Sequence, residues 1–254
     1  MQFLRSTLSS AIYYGGRMTG TVDPGVRILC YHNVNDQEKK YTTVSISNFK
    51  NQMEFLNRHG YKTISLNDLL TKRENGDYSS KKIAITFDDG WRDNYEHAFP
   101  ILKDYGFQAT IFLITDRIGD LDYLTPEQIK EMHRYGIEFG SHSLSHPKLP
   151  SLTEEQKWNE IFNSRKKIED QFQFNVDFFC YPYGLYDSET VEMVEKAGYK
   201  GACSNRPGAN IKDETFLLKR TEISAHDTLF DFEKKIAGAY DLLHQGLHFL
   251  RARP

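Results

Sequence analysis

Cysteine is scarce in this 254-residue chain: Cys30, Cys180 and Cys203 are far apart and odd in number. That argues against a disulfide framework and suits buried thiols in a reducing, cytoplasmic setting. Charge of one sign is missing too. The formal net charge of −3 gives a nucleic-acid partner no footing. No apolar run approaches the roughly 20 residues that span a bilayer, and no repeat, low-complexity tract or Pro/Ser-rich linker divides the chain. What is there is 39% hydrophobic and 26% charged, enough for a large core. The length suits one α/β barrel or two small domains, the single domain being the commoner case.

Residues 1–22 carry an early Arg5 and a weak apolar stretch broken by Ser and Thr, with no small-residue cleavage site after a continuous apolar core. They read as a short amphipathic extension, packed on the body or touching a membrane surface. The domain proper is expected over residues 23–254.

There, short apolar runs alternate with helical patterns, the mark of βα units and a mainly parallel sheet. Strands are expected over Val26–Tyr31, Tyr61–Ser65, Lys82–Phe87, Gln108–Ile114, Ile137–Gly140, Phe178–Tyr181 and Lys200–Cys203. Ser47 is expected to cap a helix ending at Gly60, and a helix should run from Trp91 through Pro100 to Tyr105. Thr125-Pro126-Glu127-Gln128 and Thr153 to Gln156 read as capping boxes, the second opening a helix through Trp158, Ile161, Phe162 and Ile168. A last helix is expected from Leu229 to His248, after Ser188–Ala197.

The chemistry-bearing residues share one position, just after a predicted strand: His32, Asp88 and Asp89, His142, and Tyr183-Gly184. In α/β barrels the loops at that end of the sheet open on one face, where reactive groups converge. His142 and His146, with the Asp88-Asp89 pair, offer two imidazoles, one carboxylate ligand and a second carboxylate left free. Three ligands leave a coordination position for water, and the spare carboxylate can take its proton. These residues predict a metal-dependent hydrolase.

Thr86-Phe87-Asp88-Asp89-Gly90, His142-Ser143-Leu144-Ser145-His146 and Tyr181-Pro182-Tyr183-Gly184 resemble the first three motifs of the polysaccharide deacetylase family, also called NodB-homology or carbohydrate esterase family 4. The match spans about Ile28 to Ser224. Tyr31-His32-Asn33-Val34, Phe49-Lys50-Asn51-Gln52-Met53 and His59-Gly60-Tyr61 resemble its bacterial exopolysaccharide branch. The resemblance implies a distorted (β/α) barrel in one domain and removal of N-acetyl groups from a sugar of a polysaccharide or glycolipid intermediate. It implies Asp89, His142 and His146 as metal ligands, Asp88 as general base and the Tyr183 backbone N–H as an oxyanion donor. Zinc is the expected metal, since a His₂Asp set suits borderline ions.

The chain departs from the family pattern twice. Cys180 stands where many members have an arginine that orients the base, and the late Leu-x-His segment that supplies the acid is not evident. Arg220 is the candidate partner for Asp88. His32 is the candidate acid, with His226 second. The departures motivate a rival reading, a non-catalytic carbohydrate-binding scaffold; a third is a deacetylase of a small N-acetylated amine. Trp91, Tyr123 and Tyr186 are candidates to stack on sugar rings.

Overall fold

The computed structural model describes residues 25–38, 40–74, 81–210 and 215–241. The expected extension over residues 1–22, and any helix beyond 241, lie outside the described residues. No described helix is long and apolar enough to cross a membrane.

Nearly every residue of the main strands is buried, which is what a parallel sheet covered on both faces requires. In chain order the strands are β1 (Arg27–Tyr31), β2 (Asn33–Val34), β3 (Thr43–Val44), β4 (Lys62–Thr63), β5 (Lys82–Phe87), β6 (Thr110–Leu113), β7 (Glu138–Ser141), β8 (Phe178–Cys180), β9 (Gly201–Cys203) and β10 (Thr221–Glu222). The sheet runs β10-β1-β5-β6-β7-β8-β9, with β4 also on β5 and β2-β3 a separate pair; every pairing is parallel. Thr221 of β10 pairs with Leu29 of β1, while Leu218, just upstream, bridges in parallel to Cys203 of β9. One short segment therefore touches both edges and curls the sheet into a distorted barrel. Arg220 lies in that segment.

Successive strand residues point to opposite faces, and the core divides accordingly. Leu29, Ile83, Ile85, Phe87, Ile111 and Phe179 pack outward under the helices, whereas Ile28, Ala84, Phe112, Phe178, Cys180 and Cys203 form a smaller cluster within. The inner parity continues past the strand ends. Ile28-Cys30 leads to His32, Ala84-Thr86 to Asp88, and Gly140 to His142. Period two in the sequence thus aims three chemical side chains into the mouth of the barrel.

The helices are α1 (Ile46–Arg58), α2 (Leu66–Glu74), α3 (Phe99–Tyr105), α4 (Pro126–Tyr135), α5 (Glu154–Phe172), α6 (Ser188–Lys196) and α7 (Leu229–Ile236). Both expected capping boxes form, at Thr125 and Thr153. Three expectations need correction. Ser45, not Ser47, caps α1: it is extended, and its hydroxyl accepts the Asn48 N–H at 3.2 Å. Trp91 is not helical but bridges antiparallel to Tyr123; a π turn over Asn94–Ala98 precedes α3, which puts Pro100 in a first turn where its missing N–H costs nothing. The expected helix through Trp158, Ile161, Phe162 and Ile168 does form as α5: its core face carries Ile161, Ser164, Ile168 and Phe172, and Trp158 and Phe162 stack on each other at its half-exposed flank. Finally α7 stops at Ile236, where the left-handed Gly238 ends it.

Candidate active site

The register of β1 on β5 sets the centre of the site. Tyr31 lies opposite Phe87, and the Asp88 N–H donates to the Tyr31 carbonyl at 2.9 Å, so His32 and Asp88 leave their strands side by side. Asp88 is buried, and Arg220 meets it with a two-pronged grip. Nη1 donates to Oδ1 at 2.6 Å and Nη2 to Oδ2 at 2.7 Å. The guanidinium is itself fixed by the Ser204 carbonyl (3.0 Å from Nε) and Asn205 Oδ1 (2.7 Å from Nη2). Burial alone would raise the Asp88 carboxyl, but the charge and hydrogen bonds of Arg220 outweigh it and hold the group well below the usual carboxylate range.

Cys180 is part of this arrangement. Its sulfur lies 3.1 Å from Arg220 Nη2, and its thiol and that of Cys30 each lie 3.6 Å from Asp88 Oδ2. Burial pushes both thiols well above their ordinary pKa, so they are protonated packing groups rather than nucleophiles. A small side chain at 180 leaves the room that the Arg220 guanidinium fills.

A second cluster stands beside the first. Asp89 Oδ1 is 3.6 Å from Nε2 of both His142 and His146, and the two Nε2 atoms are 3.2 Å apart. His142 Nδ1 lies 2.7 Å from the Cys180 carbonyl, which can only accept, so Nδ1 carries the proton and Nε2 presents its lone pair to the cluster. Burial, then the neighbouring His142, push His146 down to about 4, leaving it neutral and able to ligate. Donors about 2.0–2.2 Å from a tetrahedral ion stand roughly 3.3 Å from one another. The triangle fits a zinc-like ion without rearrangement. Asp88 with His142 and Cys180, and Cys30 with His32 and Asp88, also cluster closely enough to be considered. The Arg220 cation beside Asp88 and the protonated thiols make both poor cation sites.

The loops that present these donors are strained. Six described non-glycine residues have positive φ, and four of them are Asp89, Ser143, His146 and Tyr183. Such conformations cost on the order of 1–3 kcal/mol each and persist where function demands them. Gly90 follows in the same left-handed region, and a Cβ there would come 2.8 Å from Leu113 Cδ2. The His142–His146 loop is clamped from α5: Glu160 Oε2 accepts the N–H groups of Leu144 and Ser145, both at 2.9 Å, and Oε1 the Ser145 hydroxyl at 2.7 Å.

The remaining candidates are placed as follows. His32 Nε2 is 4.0 Å from Asp88 Oδ2, and its buried Nδ1 has no hydrogen-bond partner. Tyr183 is exposed, its ring edge against His146 with centroids 4.4 Å apart. Among the described residues its N–H donates to nothing. His226 is exposed and packs on Tyr41 (6.0 Å between centroids); it forms no ion pair with Asp88. Trp91 offers no free face pair to a sugar, because Tyr123 stacks on it at 4.6 Å and Lys40 Nζ lies 5.6 Å over the ring. The contacts of Glu160 and Asn205 have no local signal, since their partners are distant in the chain or set by loop geometry.

A parallel barrel with its ionisable groups gathered at the strand C-termini has the build of a barrel enzyme, and this one pairs a caged carboxylate with an open His-His-Asp triangle. The polysaccharide deacetylase model matches residues 75–202. The chain is 37% identical over 199 residues to YxkH of Bacillus subtilis, itself classed only provisionally as a polysaccharide deacetylase; the match covers 78% of this chain and 71% of that one. It is 30% identical over 184 residues to the poly-beta-1,6-N-acetyl-D-glucosamine N-deacetylase of Staphylococcus aureus, covering 67% and 63%. The structure of the Streptococcus pyogenes deacetylase PplD in complex with acetate superposes with TM-score 0.78 at 25% identity, over 84% of this chain and 98% of that one. The chain belongs to the polysaccharide deacetylase family.

Proposed function

We propose that the protein is a metal-dependent N-deacetylase acting on an N-acetylated glycan. The observation that carries this is the division of labour between the two aspartates: Asp89 points one oxygen at Nε2 of two imidazoles, while Asp88 is held apart by Arg220. Asp89, His142 and His146 would hold the ion, zinc by the softness of the donor set. A divalent ion there supplies Lewis acidity, polarising an acetyl carbonyl and lowering the pKa of water into the reach of a weakly basic carboxylate.

The chain's own residues supply the rest. Asp88, ionised throughout the ordinary pH range, accepts the proton of the attacking water. The unpaired Tyr183 N–H donates to the oxygen that becomes negative as the acetyl carbon turns tetrahedral. His32, partly open to solvent and beside Asp88, gives a proton to the departing amine, so that amide and water become amine and acetate. Arg220 answers the motive for the scaffold reading, because a cation stands beside the base although Cys180 replaces the usual arginine. The Staphylococcus aureus relative supports an N-acetylglucosamine polymer as the substrate class.

The test is acetate release from N-acetylglucosamine oligomers, with and without a chelator. Release that the chelator stops and zinc restores supports the reading. No release from any oligomer, or release that a chelator leaves untouched, overturns it. Turnover of small N-acetylated amines alone would redirect it to the third reading.

A further inference from the structure

A carboxylate can turn either oxygen, or both, toward an ion, and Asp89 stands on a loop in the left-handed region, with φ 75°. The structure nevertheless distinguishes its two oxygens. Oδ2 accepts the Trp91 indole N–H at 2.9 Å, while Oδ1 is equidistant from the two imidazole nitrogens at 3.6 Å. An indole N–H only donates, so it marks Oδ2 as the outward oxygen. Trp91 is in turn braced. Its ring stacks on Tyr123 with 23° between planes, its backbone bridges to that residue, and the Leu124 N–H donates to the Gly90 carbonyl at 3.0 Å. Lys40 over Trp91 and Arg117 over Tyr123 (5.9 Å) cap the pair with a cation at each end.

We infer that Trp91 is a positioning residue for the metal-binding carboxylate, its N–H holding Asp89 to one-oxygen presentation, with the Tyr123 loop as its brace. The inference rests on the metal reading above but concerns a different group. Its test is metal affinity rather than turnover: zinc or cobalt binding by the purified full chain, measured by chelator competition, with the cobalt absorption spectrum as a second readout. The decisive variant replaces Trp91 by benzothienylalanine, which keeps the ring shape and stacking but has no N–H; Trp91→Phe accompanies it. Both should bind roughly 10- to 100-fold more weakly, the usual scale for losing an outer partner of a metal ligand. The benzothienyl variant should change the cobalt spectrum yet keep the metal-free unfolding midpoint of the parent, and Tyr123→Phe, which keeps the stack, should bind normally. Parental affinity and spectrum in the benzothienyl variant overturn the inference while leaving the metal reading intact. A parent protein that binds neither ion removes both.

Discussion

The two aspartates are adjacent in sequence yet inhabit opposite kinds of environment. Asp88 sits inside the barrel with 3% of its side chain exposed, and Arg220, at 1%, neutralises it in place. Asp89 lies on the rim, its Oδ1 facing Nε2 of His142 and His146, and burial with the neighbouring His142 holds His146 down at about 4. The inner pair rests on strand ends and a buried fork; the outer set rests on residues in left-handed conformations held by hydrogen bonds from α5 and Trp91. The inner pair is a matched cation and anion, whereas the outer cluster has no cation among its own side chains, and the proposed metal would supply one. A single alternation of side chains at the end of β5 therefore separates a carboxylate paired with a buried guanidinium from one facing two imidazoles, the division on which the proposed roles of base and metal ligand rest.

The strongest way to break that contrast is to remove the outer set. His142→Ala should lose the ion and with it roughly three orders of magnitude or more in kcat/KM, while its unfolding midpoint without metal stays near the parent's. Metal analysis and acetate release check this. Next comes the proposed proton donor. His32→Ala should lower kcat by about 10²–10⁴, the scale of general acid catalysis, and His226→Ala, exposed and packed on Tyr41, should leave acetate release unchanged; the reverse pattern would exchange their roles.

Removing Arg220 attacks the inner set. Arg220→Met strands a buried carboxylate and should destabilise the fold by about 3–5 kcal/mol. The pH dependence fixes the sign. In the parent, Asp88 is lowered, so its stabilisation is present above the ordinary aspartate value and is lost as pH falls below it. In the variant, burial without a counter-charge raises the group, so stability should rise as pH drops and Asp88 is protonated. Urea midpoints across a pH series decide it: the variant's should rise between neutrality and the ordinary aspartate value, where Asp88 leaves the parent's unchanged, and Asp88 should lower only the parent's below that value. The gentlest change is Glu160→Ala, which frees the His142–His146 loop and should weaken metal binding by roughly 10- to 100-fold without touching Asp88.

The site was unevenly legible before the fold was known. His32, Asp88, Asp89, His142 and Tyr183 could be read because each follows a strand whose apolar run is visible, and strand ends in a parallel barrel share a face. Arg220 could be nominated because the family pattern calls for an arginine beside the base and residue 220 ends a plausible late strand, but its pairing with Asp88, 132 residues away, had no local signal. Glu160 and Asn205 had no local pattern to announce them. The misjudged helix over Trp91 hid the indole contact to Asp89, because an apolar period says nothing of a turn that pairs with a distant loop.

The sequence by itself determined the parallel strands, their inward and outward parity, and the residue types at the mouth of the barrel, because those depend on periods of two and on turns a few residues long. What the local pattern left open is the cage itself: the alternation turns Asp88 inward, but the cation that meets it arrives only where β10 closes the curl beside β1 and brings Arg220 across the interior, a long-range packing event that no local period encodes.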